Sequence, residues 1–216
     1  MHLTPYAIFD LDGTLLDSND MWESVTDRVL SRYGRTITPQ QRMDNMTLTI
    51  DGAADYFVRE LGVQDTPAAC AELMRREAQR GYAERARVKP GVPEMLRAMQ
   101  ARAVRMCVAS GTEKPLVDDA LKAHGLLGFF EFTLSCDNPE GKRRPDVYRR
   151  ARERFGVSDP GCVTVFEDSL TALRTAAGDG FHTVGIFDAP TAGCWPQIQA
   201  TAEIACRTWD EWTCRL

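Results

Sequence analysis
The stretch Ala7-Ile8-Phe9-Asp10-Leu11-Asp12-Gly13-Thr14-Leu15-Leu16-Asp17 constrains the fold more than any other part of the chain. Tyr6 to Phe9 is a short apolar run, the right length for a buried parallel strand. It stops at two carboxylates one residue apart, followed by Gly13, which accepts a positive φ. Acids at the end of a buried strand are costly to place. In an open α/β sheet, the carboxyl end of a strand is also where ligands bind.

Alternation along the strand tip turns Asp10 and Asp12 to one side and Leu11 away. Such a pair suits phosphoryl transfer: one carboxylate attacks phosphorus and the other delivers a proton to the leaving oxygen. A carboxylate and a phosphate repel by roughly 4 kcal/mol at 4 Å in a medium of effective dielectric 20, so a divalent cation belongs between them. Taken alone, the two acids could equally cap a turn, as Asp often does. The rest of the chain has to decide.

Beyond Asp17 and Ser18, both good N-caps, Met21, Trp22, Val25, Val29, Leu30 and Tyr33 follow helical spacing. Further helices are expected from Thr38-Pro39, over Ala53 to Leu61, and from Thr66-Pro67 toward Gly81. Only helices are expected from Asp20 to about Val88, a separation far longer than a strand-to-helix loop requires. Five strands are then expected in all: Tyr6 to Phe9, Val104 to Ala109, one within Phe129 to Leu134, Cys162 to Phe166, and His182 to Ile186. Helices alternate with the last four. The tail from Pro190, with Trp195, Trp209 and Trp212, reads as short irregular helices.

This pattern predicts an α/β fold: a doubly wound, Rossmann-like parallel sheet with an inserted all-helical cap domain. The expected core is 1–17 with 89–216, and the expected cap is 18–88. Hinges are expected near Leu16–Asp20 and Arg85–Gly91, with closure excluding water from Asp10 and Asp12.

The strand ends carry the chemistry. The first ends in Asp10 and Asp12 and the second in Ser110-Gly111-Thr112. Lys142 follows the third, and the fourth ends in Glu167-Asp168. A hydroxyl and backbone N–H groups beside a helix N-terminus suit phosphate oxygens. A lysine there screens nucleophile from phosphate. Hard oxygen ligands complete a magnesium site. Each feature has a plainer reading, as helix cap or solvated charge run, but the four occur together at successive strand ends.

Whole-chain properties exclude other classes. With 216 residues, 44% hydrophobic, 26% charged and a net charge of −5, the chain reads as an ordinary globular protein with no nucleic-acid partner. No apolar run reaches membrane-spanning length, and the N-terminus lacks the basic-then-apolar layout of a signal peptide, which points to the cytoplasm. Seven cysteines without CxxC spacing argue against zinc and a disulfide framework, and Cys107 and Cys162 read as buried small hydrophobes. His2, His124 and His182 are scattered and read as structural or exposed.

The motifs Asp10-Leu11-Asp12-Gly13-Thr14-Leu15, Val108-Ala109-Ser110-Gly111-Thr112, Gly141-Lys142 with Pro145-Asp146, and Val165-Phe166-Glu167-Asp168-Ser169 resemble those of the haloacid dehalogenase-like superfamily. The resemblance is to its β-phosphoglucomutase and phosphoglycolate phosphatase branch, and it covers nearly the whole chain, helical insertion included. It implies that Asp10 is the nucleophile forming an aspartyl-phosphate, and that Asp12 is the general acid and then the base. It implies that Leu11, Ser110, Gly111 and Lys142 bind the phosphoryl group. Mg2+ would be bound by Asp10, the backbone carbonyl of Asp12, and Asp168, with Glu167 binding directly or through water.

Family dehalogenases lack the second acid, so Asp12 points to C–O–P substrates. The expected partner is a small phosphorylated metabolite, and the expected assembly a monomer or weak dimer. Sugar phosphomutases of the branch carry a basic residue in the cap loop, whereas 44–55 here holds neither Lys nor Arg. That departure favours a phosphatase over the alternative, a sugar phosphomutase. The loop offers Met46, Thr47 and Thr49, while Arg75, Arg76, Arg80, Arg85 and Arg87 read as a solvated face. Gly141-Lys142-Arg143-Arg144 also departs from the usual Lys-Pro after the glycine. A receiver-type phosphoacceptor shares acids, hydroxyl and lysine at strand ends, but is much shorter and has no helical insertion.

Overall fold
The computed structural model describes residues 4–45 and 48–216. The chain starts with β1 (Tyr6–Phe9), then β2 (Leu16–Asp17), and enters α1 (Asn19–Arg32), α2 (Pro39–Asn45), α3 (Ile50–Arg59) and α4 (Pro67–Glu84). It returns through β3 (Arg87–Val88) and alternates: α5 (Val92–Ala101), β4 (Arg105–Ser110), α6 (Lys114–Ala123), β5 (Phe132–Ser135), α7 (Asp146–Phe155), β6 (Val163–Glu167), α8 (Leu170–Gly178), β7 (His182–Ile186). It closes with α9 (Trp195–Thr201), β8 (Ile204–Cys206) and α10 (Trp209–Thr213).

Six strands form one sheet in the order β5-β4-β1-β6-β7-β8. Every neighbouring pair is parallel. β1 is central, and successive strands leave it in opposite directions, so the switch point lies at its carboxyl end. The doubly wound fold expected from the alternation is the one observed.

The period of two along β1 divides the core. Ala7 and Phe9 join one hydrophobic cluster with Met95, Leu96, Val117 and Trp209, while Ile8 joins a second with Tyr148, Phe155 and Phe181. β1 is therefore covered on both faces, which is why it is apolar throughout. Phe9 stacks on Phe166 of β6 with ring centroids 4.6 Å apart, and Trp209 lies 5.6 Å from Phe166. The Trp209 indole N–H donates to the carbonyl of Thr14 at 3.0 Å. The tryptophan-bearing tail thus backs the loop that follows β1.

The structure adds three things to the sequence reading. The tail contains a sixth parallel strand, β8, where only irregular helices were expected. The passages into and out of the inserted helices lie side by side, with Leu16 paired to Val88 and Asp17 to Arg87 in an antiparallel ribbon, so that stretch is not wholly helical. The third strand begins at Phe132, after a 3-10 turn over Leu127–Phe129. Cys162 is half-buried in a 3-10 turn ahead of β6, not inside the strand. All seven cysteines are free.

The inserted helices pack α1 and α3 against α4. Thr49 and Thr66 cap α3 and α4, each accepting a backbone N–H at 3.2 Å. Arg76, Arg80, Arg85 and Arg87 are exposed, as expected of a solvated face. Arg75 is not: it pairs with Asp51 and with Glu113 beyond β4, both at 2.6 Å. His124 bonds backbone carbonyls and His182 pairs with Glu203. Among the described residues, no helix is long and apolar enough to cross a membrane. Met46, Thr47 and His2 lie outside the described residues.

Candidate active site
Each functional side chain sits where a buried strand stops. Asp10 follows β1, and its backbone N–H donates to the Phe166 carbonyl at 3.0 Å, so the first acid keeps strand register with β6. Ser110 ends β4 and Glu167 ends β6, with Asp168 next. Lys142 lies in a 3-10 turn over Gly141–Arg143 and is buried. The structure brings Asp10, Asp12, Ser110, Gly111, Lys142, Glu167 and Asp168 onto one cavity of about 480 Å³. Its outer wall comes from the inserted helices, including Trp22, Asn45 and Met74. Leu11 is the exception: its side chain is fully buried in the core, which leaves only its backbone for a ligand.

The acids share one cation. Lys142 Nζ donates to Asp10 Oδ1, and to Glu167 Oε1 at 2.5 Å. The Tyr148 hydroxyl also donates to Glu167 Oε1, at 2.8 Å. Burial opposes the ammonium of Lys142, but the charges of Asp10 and Glu167 prevail and hold it above its ordinary range. Burial pushes Asp10 up to about 8, against the pull of Lys142 and with the charges of Glu167 and Asp12 adding. Burial also raises Asp168, with Asp10 as the next cause. The cluster is short of positive charge.

Asp10, Glu167 and Asp168 each offer a carboxylate oxygen within 4.8 Å of the others. Hard anionic oxygens in excess over the local cations are what a divalent ion of this type requires, so the donor set fits one. The carboxylate of Asp12 lies outside that set. It is instead held by three hydroxyls: Ser18 at 2.6 Å, Tyr82 at 2.7 Å and Thr112 at 3.0 Å. Ser18 stands at the N-cap position of α1 but makes no side-chain cap bond, because its hydroxyl turns to Asp12.

A further shell fixes Asp168. Asn19 Nδ2 donates to Asp168 and to Asp188, both at 2.9 Å. Lys89 Nζ meets Asp188 at 2.7 Å, the Gly13 carbonyl at 2.7 Å and the Phe187 carbonyl at 2.8 Å. Sequence reasoning missed Asn19, Lys89, Asp188, Tyr82 and Tyr148. Thr112 and Ser18 stood in motifs already noted, and only their target was not foreseen.

Gly13 is pinned by this packing. Its φ is +80°, and a Cβ there would run into the Asn19 amide and the Asp168 carboxylate. Gly13→Ala is expected to destabilise the protein by about 1–3 kcal/mol from backbone conformation alone, with the clash adding to it. Urea unfolding measures this, and a shift under about 0.5 kcal/mol, the size of an ordinary surface substitution, would refute it.

Fold and site together define a doubly wound α/β protein with an acid-rich, lysine-bearing cavity at the switch point. The chain belongs to the haloacid dehalogenase-like hydrolases, whose family model matches residues 5–178. It is 30% identical over 190 residues to (DL)-glycerol-3-phosphatase 1, mitochondrial, of Arabidopsis thaliana, covering 85% of this chain and 64% of the relative. The chain thus spans a little under two thirds of that relative's length. It is 25% identical over 179 residues to a phosphorylated carbohydrates phosphatase of Thermotoga maritima, covering 82% of each. In fold it is similar to CbbY from Rhodobacter sphaeroides in complex with phosphate, with a TM-score of 0.80 and 21% identity, covering 97% of this chain and 96% of that one.

Proposed function
We propose that this hydrolase is a Mg2+-dependent phosphatase of a small phosphorylated metabolite, working through an aspartyl-phosphate on Asp10. The observation that carries the reading is the meeting of Asp10, Lys142, Ser110 and the Glu167-Asp168 pair on one cavity, with Asp12 beside them. The names of the relatives, phosphatases of glycerol and carbohydrate phosphates, support the substrate class.

A carboxylate oxygen of Asp10 attacks phosphorus, and the P–O bond to the substrate alcohol breaks. Asp12, as the acid, gives its proton to the departing oxygen, a step worth roughly 10²–10⁴-fold. Asp12, now a base, takes a proton from water as the water oxygen attacks the same phosphorus and Asp10 departs. Lys142, Ser110, and the backbone at Leu11 and Gly111 hold the phosphoryl oxygens. Mg2+ would be held by Asp10, the Asp12 carbonyl, Asp168 and Glu167, the last directly or through water, and would supply positive charge to offset that of the phosphate. Residues 18–88 act as a cap over the core of 1–17 and 89–216, hinged at the ribbon of β2 and β3.

The test is phosphate release from a panel that includes glycerol 3-phosphate and carbohydrate monophosphates. Release is expected with Mg2+, with a loss of at least tenfold on chelation and recovery when Mg2+ is returned. No release from any ester, or release indifferent to chelation, would overturn the reading. Conversion of a hexose 1-phosphate to the 6-phosphate faster than phosphate release, with a bisphosphate primer, would favour the phosphomutase instead.

A further inference from the structure
The carboxylate of Asp12 is gripped by groups from both sides of the cavity. Ser18 and Thr112 come from the loops after β2 and β4, whereas Tyr82 comes from α4, one of the inserted helices. Its hydroxyl lies 2.7 Å from Asp12 Oδ1 and 2.9 Å from Oδ2. Tyr82 is buried and is not among the residues lining the cavity.

The hydrogen bonding sets the direction of its proton. A phenol has one hydrogen to give and lone pairs to receive. The Trp22 indole N–H, which can only donate, points at the Tyr82 oxygen from 3.2 Å. The Tyr82 proton then has Asp12 and, at 3.3 Å, Thr112 Oγ1 as its acceptors, and Asp12 is the nearer at 2.7 Å. Trp22 also packs edge-on to the Tyr82 ring, at a centroid distance of 6.0 Å, so the phenol is held in place.

We propose that Tyr82 is a positioning residue for Asp12, through which the inserted helices aim the acid at the departing oxygen. The inference rests on the reading of Asp12 as the proton donor. An acid that strays from its hydrogen-bond line to the leaving atom loses most of its value, because proton transfer requires contact within about 2.6–3.2 Å. Thr112 holds Asp12 from the loop after β4, and Ser18 holds it from the N-cap position of α1. Tyr82 adds a bond from α4, the inserted helix whose Met74 lines the cavity. The inserted helices thus govern protonation as well as water exclusion.

The chemistry supplies a readout that loss of packing would not move. An alkoxide needs a proton to leave, whereas nitrophenolate leaves without one. Tyr82→Phe keeps the ring and removes only the hydroxyl. It is expected to lower kcat/KM, which covers only the steps through departure of the alcohol, about tenfold on an alkyl phosphate such as glycerol 3-phosphate, a part of the roughly 10²–10⁴ that the acid contributes. On p-nitrophenyl phosphate the change in kcat/KM is expected to stay within about twofold. Asp12→Asn, measured alongside, is expected to show the same selectivity in kcat/KM more steeply, whereas its kcat falls on both esters because the later attack of water also uses Asp12. Equal losses on both esters, or no loss on either, in Tyr82→Phe while Asp12→Asn discriminates would overturn the inference alone. An Asp12→Asn enzyme whose kcat/KM falls alike on the two esters would overturn the reading of Asp12 as the acid and the inference with it.

Discussion
Asp10→Asn is expected to abolish turnover on every phosphomonoester while leaving the fold intact. The amide is nearly isosteric with the carboxylate, so β1 and its register with β6 have no reason to change. What is lost, on the proposed mechanism, is the anionic oxygen that would form the bond to phosphorus. With the nucleophile gone, the acid, lysine and metal ligands have no covalent step to assist, since groups that act as a unit fail as a unit. The expected fall in kcat is on the order of 10⁴-fold or more. Phosphate release under single-turnover conditions measures it, alongside incorporation of labelled phosphate into the acid-quenched protein. The parent should carry label and the variant none. Retention of more than about a tenth of the activity would end the proposal that Asp10 is the nucleophile. The fold is expected to persist because burial already disfavours the charge of Asp10, which is pushed up to about 8. An uncharged amide there removes a burden from the core, and Lys142 keeps Glu167 as its partner.

The parts of this site that were legible in the sequence share a physical signature. Each is a polar residue directly after an apolar run too short for a helix. Asp10 after Phe9, Ser110 after Ala109, and Glu167 after Phe166 can be read in this way without knowing what pairs with what. Lys142 lay in a basic run, and its burial between Asp10 and Glu167 had no local mark. The ribbon of Leu16–Asp17 with Arg87–Val88 was not legible, because two residues per strand cannot display an alternation. The same holds for Ile204–Cys206, a three-residue edge strand whose pairing with β7 is made by backbone groups. The supporting side chains were hidden by distance along the chain. Tyr82 and Asp12 are 70 residues apart, and Asn19 and Asp168 are 149 apart, so no spacing rule could join them. Ser18 shows a third kind of concealment. Its type and position satisfy the N-cap rule, yet the hydroxyl forms a 2.6 Å bond to a carboxylate that local sequence could not place.

Lys142→Met is expected to have the second-largest effect, and it separates the two roles of the lysine. The methionine keeps an unbranched apolar stem of similar length, so packing is largely retained and the change is chiefly electrostatic. Asp10, Glu167 and Asp168 would then stand within 4.8 Å of one another without the ammonium that bridges two of them. Removing one partner of a buried ion pair costs about 3–5 kcal/mol, and the metal-free variant is expected to unfold earlier in urea by that order. Mg2+ should return more stability to the variant than to the parent, since the divalent ion then enters a more negative site. At a hundred times its Kd, a ligand that binds only the folded state returns about 2.7 kcal/mol. Activity is a separate matter, because Mg2+ replaces the missing charge in the cluster but not the donor aimed at the phosphoryl oxygens. Turnover at saturating Mg2+ is therefore expected to remain down by roughly 10²–10³-fold, the usual cost of one lost transition-state donor. If Mg2+ shifts the unfolding midpoints of parent and variant equally, the lysine is not the counter-charge of this cluster. If activity returns with stability, its role at the phosphoryl group fails instead.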